Sequence, residues 1–275
     1  MKIIRVFLRK TKATPEDEDV RINKTPSLFD EADEVHISVA FTWDIPQAEF
    51  LFNQWRKAGF NTKIGGPAFN EKGGDFIPGL YLKKGYVITS RGCKNKCWFC
   101  SVPKREGGEL RELPIVEGYN VLDDNLLACS EEHKAKVFEM LKRQPERPQF
   151  TGGLEAKILT LQDAGRLFEL KPKTIFFAYD AQSDYAPLVE AGKLLRQVGF
   201  KRESTTLRAY VLCGYQRDTF EFAETRMRQA WDAGFFPMAM LYRNFKGNYS
   251  QEWKQFQREW ARHEIVATKL KETGL

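Results

Sequence analysis

The stretch YVITSRGCKNKCWFC, residues 86–100, decides how this chain is read. It starts as a β-rich run, Tyr86–Ser90, and passes directly into three cysteines, Cys93, Cys97 and Cys100, spaced CxxxCxxC. The chain has five cysteines, an odd number, and three of them share this one segment. In a reducing compartment such a cluster reads as metal binding or redox chemistry, not as a disulfide framework.

Cysteine thiolates hold iron–sulfur clusters, and three ligands on a cube of four irons leave one iron open to a small molecule. Gly92 allows the loop to turn tightly. Lys94 and Lys96 offset the negative charge of the thiolates and favour their deprotonation. Zinc is the competing reading. Zinc sites usually complete four ligands with a second CxxC or with histidines. Here His36, His133 and His263 are scattered and no second cysteine pair exists.

Working outward, the segment sits inside a strand–helix alternation. Upstream, Val35–Phe41 is a strand pattern. Asp44 and Pro46 open a helix that carries Phe50, Leu51 and Trp55 toward one side and stops near Gly59. A short strand at Thr62–Ile64 and Gly65-Gly66-Pro67 follow. This is one βαβ-like unit, a small Rossmann-like N-terminal domain over residues 1–80, with residues 11–30 read as loop. Downstream, strands are expected at Tyr86–Ser90, Tyr119–Leu122, Gln149–Thr151, Thr174–Tyr179, Leu207–Cys213 and Phe236–Leu241. Ser130, Thr160 with Asp163, and Asp218 with Glu221 open helices between them, and another runs from Ser183 to about Gly199. A last amphipathic helix carries Trp253, Phe256 and Trp260. The α/β alternation predicts a parallel sheet, curled by the handedness rule into a partial (β/α)6 barrel over residues 81–275, with chemistry at the C-terminal strand ends.

Lysine and arginine exceed aspartate and glutamate by 43 − 37 = 6, which permits a polyanionic partner without requiring one. No apolar run is long enough for a membrane span, and the N-terminus lacks a signal-peptide pattern, so a cytoplasmic protein with no membrane partner is expected.

The cysteine motif, with Phe99 just before its last cysteine, resembles the radical S-adenosylmethionine (SAM) superfamily, as does its place after the first strand of a six-strand array. The resemblance covers residues 86–262. More narrowly the chain is similar to the cobalamin-binding or methylthiotransferase-like branch, with a truncated N-terminal domain. Val121-Leu122-Asp123-Asp124-Asn125 resembles the acidic second-strand segment of that branch, and Phe150–Glu155 and Phe177–Asp184 fit its third and fourth strands. The N-terminal unit has no DxHxxG cobalamin motif and no cysteines for a second cluster. The resemblance implies a 4Fe–4S cluster on Cys93, Cys97 and Cys100, with SAM chelating the open iron. An electron then cleaves SAM, and the 5′-deoxyadenosyl radical takes hydrogen from a substrate.

The resemblance also implies roles for single residues. Asp123 and Asp124 would accept hydrogen bonds from the methionine ammonium, or else form a turn or cap pair. Phe99 would pack near adenine or over the cluster. Glu155 and Asp180 would bind the sulfonium end and the ribose hydroxyls, or serve as caps and surface charges. Arg208 would pair with a carboxylate. Tyr242 and Arg243 would stand at the rim where substrate enters. Cys213 would donate hydrogen to a product radical or stand as a buried inert thiol, and Cys129 reads as structural.

Between Lys83 and Arg111 lie Lys83, Lys84, Arg91, Lys94, Lys96, Lys104, Arg105 and Arg111 against Glu106 and Glu109, with Trp98 and Phe99 interleaved. That composition suits a nucleic acid or an acidic electron donor such as flavodoxin. Three functions stay open on sequence: radical chemistry on a nucleobase or nucleotide in DNA or RNA, radical modification of a small metabolite or peptide, and an iron–sulfur electron-transfer or nucleic-acid-binding module without SAM turnover.

Overall fold

The apolar run Ile3–Phe7 is strand β1, and β2 (Val20–Ile22), β3 (Glu34–Ser38) and β4 (Thr62–Gly65) join it in a parallel sheet of order β2-β1-β3-β4. The structure, a computed structural model, describes residues 1–201 and 205–271. The chain forms two compact units, Met1–Gly118 and Tyr119–Leu275, so segment 81–118 packs with the first.

The first unit is larger than the single βαβ element expected. β1 is not among the strands expected from sequence, and β2 lies inside the polar stretch read as loop; each completes its backbone hydrogen bonds by pairing in the sheet. Helix α1 (Ile45–Lys57) connects β3 to β4 and buries Ala48, Leu51 and Trp55 against Ile4, Val6, Val35 and Ile37. Phe50, expected on that side, is half exposed. Asp44 stands at the N-cap without capping, because its carboxylate is taken by the Arg9 guanidinium. Arg5, Phe7, His36 and Lys63 alternate onto the opposite sheet face. There Arg5 donates to the carbonyls of Gly79 (3.0 Å) and Leu80 (3.3 Å), and Tyr81 Oη lies 2.7 Å from His36 Nδ1.

The strand expected over Tyr86–Ser90 is two short pieces, β5 (Tyr86–Val87) and β6 (Ser90–Arg91). Helix α2 (Val102–Glu106) follows the cysteines, and β7 (Arg111–Glu112) returns antiparallel to β6.

In the second unit, β8 (Asn120–Val121), β9 (Gln149–Leu154), β10 (Thr174–Tyr179), β11 (Leu207–Cys213) and β12 (Phe236–Leu241) each pair in parallel with the next. Helices α3 (Glu131–Lys142), α4 (Leu161–Glu169), α5 (Tyr185–Gln197) and α6 (Phe220–Asp232) connect them, and α7 (Gln251–Ala261) and α8 (His263–Lys271) end the described chain. This is an α/β fold of parallel sheets. Ser130 and Thr160 cap α3 and α4 as the sequence predicts, each accepting the N–H three residues on. Helix α6 differs: Thr219 caps it, and Asp218 turns back to Arg226 and to the Gly214 N–H.

Two helical glycines separate packing from propensity. A Cβ on Gly192 in α5 would lie 2.0 Å from the Ala233 carbonyl oxygen at the end of α6, whereas nothing lies within 4 Å of one on Gly165 in α4. We expect Gly192→Ala to destabilise the fold by about 2 kcal/mol through overpacking and Gly165→Ala to stabilise it by about 0.5–1 kcal/mol. Thermal unfolding of the two variants checks the opposite signs.

Candidate functional site

Three arginines and one carboxylate close the base of the cysteine loop. The Glu106 side chain has no exposed surface. Arg105 Nε donates to it at 2.9 Å, an Arg111 terminal nitrogen at 2.8 Å and the Gly73 N–H at 3.2 Å, while Arg91 lies 3.7 Å away. Burial alone would raise this carboxyl, but the hydrogen bonds and the arginines hold it below its ordinary value. Arg91 and Arg111 face each other across β6 and β7, so the loop leaves and re-enters the unit through one ion-paired gate.

Gly92 begins the loop at φ +90°, and a Cβ there would lie 2.1 Å from the Glu109 carbonyl oxygen. Only glycine fits, because it meets a left-handed conformation and a close backbone approach together. Beyond it the Asn95 N–H points at Cys93 Sγ (3.4 Å), and the Cys100 N–H donates to the Cys97 carbonyl (3.0 Å). Cys97 is exposed, Cys93 and Cys100 are half-buried, and no cysteine forms a disulfide. Among the described residues no three His, Cys, Asp or Glu side chains already stand grouped as a metal-ligand set. In donor chemistry the loop fits an iron–sulfur cluster: three thiols on one short excursion, an amide aimed at a sulfur, and exposed Lys94 and Lys96 beside them. Trp98 is exposed next to Phe99, with ring centroids 5.4 Å apart edge to face. The basic stretch is thinner than its composition suggests. Arg91, Arg105 and Arg111 serve Glu106, and Lys83 pairs with Glu16. Lys84, Lys94, Lys96 and Lys104 remain at the surface.

In the second unit the carboxyl ends of the parallel strands collect acidic groups along one edge. Asp123 is buried and Asp124 half-buried after β8. Gly152 in β9 permits this approach, since a Cβ there would lie 2.6 Å from the Asp123 carbonyl oxygen. The β9–β10 register shifts across Gly152-Gly153, which delivers Glu155 to the same edge, where Asn125 Nδ2 donates to it at 2.6 Å. After β10, the N–H groups of Asp180 and Ala181 donate to Asp184; after β11, Gly214 N–H donates to Asp218. These carboxylates shape the turns at the strand ends.

Asp180 is no surface charge. Burial, followed by the nearby Asp184 carboxylate, pushes its carboxyl up to about 7. Cys213 closes β11 with no exposed surface, and burial, then Asp218, pushes its thiol up to about 12, so it stays protonated. Tyr242 follows β12, its N–H donating to the Cys213 carbonyl (2.8 Å), and the Arg243 guanidinium lies 4.7 Å from the centre of the Tyr249 ring. Cys129 is buried.

Arg208 does not join this group. It starts β11, about 16 Å of strand from Cys213. Its Nε donates to the Thr205 carbonyl (3.0 Å) and its guanidinium lies 5.7 Å from the centre of the Phe176 ring, with no carboxylate partner among the described residues. Sequence reading missed Glu106, which looks like a surface acid until three arginines converge on it, and Asn125, whose partner lies one strand away. No known protein family matches the chain, and no curated protein is similar to it.

The raised Asp180 carboxyl fixes a pH dependence. An acid whose folded value exceeds its unfolded one contributes stability below about pH 4 and loses it as pH rises through about 7. We expect Asp180→Asn to gain stability over the parent between pH 5 and 8, by on the order of 1–3 kcal/mol at the upper end. Denaturant midpoints across that range check it; parallel curves for the two proteins would contradict it.

Proposed function

We propose that the chain is a radical SAM enzyme, in which residues 81–275 supply a partial (β/α)6 barrel and Cys93, Cys97 and Cys100 hold a 4Fe–4S cluster with one open iron. The observation that carries this reading is the CxxxCxxC loop, started by an irreplaceable glycine and closed by a buried carboxylate among arginines. The wound parallel sheet with an acidic carboxyl edge supports it. When bound, the cluster supplies the electron that cleaves the sulfonium of SAM to a 5′-deoxyadenosyl radical, which takes a hydrogen atom from substrate.

The chain's residues then divide the remaining work. Asp123 and Asp124 accept hydrogen bonds from the methionine ammonium. Glu155, fixed by Asn125, faces the sulfonium end as a counter-charge. Asp180, with its carboxyl near 7, both donates to and accepts from ribose hydroxyls. Phe99 packs on the adenine. Cys213, kept protonated by burial, retains the S–H hydrogen that a product radical requires. Tyr242 and Arg243 meet substrate at the rim. Exposed Lys94, Lys96, Lys104 and Trp98 suit docking of an acidic electron donor such as flavodoxin, and equally a nucleic-acid backbone with a stacked base. A nucleobase or nucleotide substrate follows from the second possibility.

Anaerobic reconstitution with iron and sulfide, followed by dithionite and SAM, tests the reading. The parent protein is expected to release 5′-deoxyadenosine and methionine, and Cys97→Ala to release neither. Iron-loaded parent protein that forms no 5′-deoxyadenosine overturns the enzyme reading. Steeply salt-dependent DNA or RNA binding would then favour the nucleic-acid module.

A further inference from the structure

We propose that the first unit carries a ligand site of its own, for a mononucleotide: a planar heteroaromatic ring bearing one phosphate. Residues of Met1–Gly118 alone line the site, and although it reaches Arg91, Arg105 and Glu106 at the base of the cysteine loop, no cysteine lines it and its ligand requires no cluster.

A cavity of about 590 Å³ opens at the carboxyl ends of β1, β3 and β4. The size suits a small organic ligand. The place is chemically specific. From β1 the chain steps outward to β2, then crosses back to β3 on the other side of β1, so the winding reverses between β1 and β3. In open parallel sheets the crevice outside the strand ends at such a reversal is where ligands bind. The residues that leave those ends line it: Leu8 and Arg9 after β1, Ala40 and Phe41 after β3, Gly66 and Pro67 after β4.

Gly66 lies at φ +118°, and a Cβ there would come within 2.8 Å of the Val39 carbonyl oxygen. The turn after β4 therefore presents bare backbone to the cavity. Helix α1 covers only one face of the sheet. The other face is roofed by the stretch that Arg5 pins at Gly79 and Leu80, and a loop packs there less fully than a helix, leaving space between Phe7, Ile77 and Leu82.

The ring preference comes from the mouth. Phe41 stacks on Trp43, centroids 4.8 Å apart and planes 8° from parallel, and the Arg9 guanidinium lies 5.8 Å from the centre of the Phe41 ring. Phe41 is 36% exposed, enough to offer a stacking surface. The charge preference comes from the lining. Four acids line it: Asp44 is engaged with Arg9, Glu106 with the arginines and Glu71 with the Gly66 N–H (2.8 Å), while Asp75 is exposed; five bases, Arg9, Lys63, Lys72, Arg91 and Arg105, oppose them. Lys72 stands exposed at the rim, and Arg9 keeps part of its guanidinium at the surface. That modest positive balance fits one phosphate.

Flavin mononucleotide and adenosine monophosphate share this chemistry and serve as probes on the full chain, the first by flavin fluorescence and the second by calorimetry. At least one is expected to bind in the micromolar range, and the one that binds identifies the ring. Phe41→Ala is expected to weaken binding at least tenfold through loss of stacking. Ala40→Trp, an exposed position at the rim, is expected to block entry without changing the melting temperature. No binding of either probe, or binding unchanged in both variants, overturns the proposal. Neither outcome depends on iron content or SAM cleavage.

Discussion

A carboxylate with no solvent contact cannot stay charged without partners, and Glu106 has three arginines and a backbone amide. That requirement organises much of the first unit. Arg91 and Arg111 bring the two limbs of the cysteine loop together, Arg105 ties in α2, and Gly73 ties in the stretch before Tyr81. Removing Glu106 would leave like charges facing each other at the loop's base. Because the folded carboxyl is held below its ordinary value, this stabilisation is present at neutral pH and fades as pH falls into the acid range. Three thiols on an exposed loop are useful only if the loop's ends are fixed, and this cluster fixes them.

The second unit solves a related problem at its strand ends. Parallel strands that stop together leave backbone N–H groups without ladder partners. Asp184 and Asp218 take those groups after β10 and β11, and each then anchors something further: Asp184 raises Asp180, and Asp218 pairs with the buried Arg226. The edge that satisfies the backbone is thereby also the edge that gathers ionisable groups. Asp180 near 7 and Cys213 near 12 are both consequences of burial where strands end.

Much of this was legible in the sequence. The runs TIFFAY, LRAYVLC and FPMAML give three strands to the residue, because continuous apolar runs bounded by turns leave little choice. Ser130 and Thr160 announce their helices by cap chemistry. What could not be read depends on partners distant in sequence. β1 is held by pairing with β3, and β2 exists through pairing with β1, not through local pattern. Asp44 and Asp218 look like helix caps, but an arginine competes successfully for each, the exposed Arg9 for the first and the buried Arg226 for the second. The Gly152-Gly153 irregularity that carries Glu155 to the strand edge follows from register, which no local signal encodes. Arg208 looked like a site residue by its strand, yet it lies at the strand's wrong end.

The central claim is that the three cysteines hold a cluster with one iron open to SAM. Low-temperature electron paramagnetic resonance of the dithionite-reduced, iron-loaded protein, with and without SAM, tests it most directly. The account predicts a reduced 4Fe–4S signal whose g-values shift when SAM is added, since the ligand enters the coordination of one iron. A signal indifferent to SAM, or a protein that binds zinc and never assembles a cluster, would contradict it.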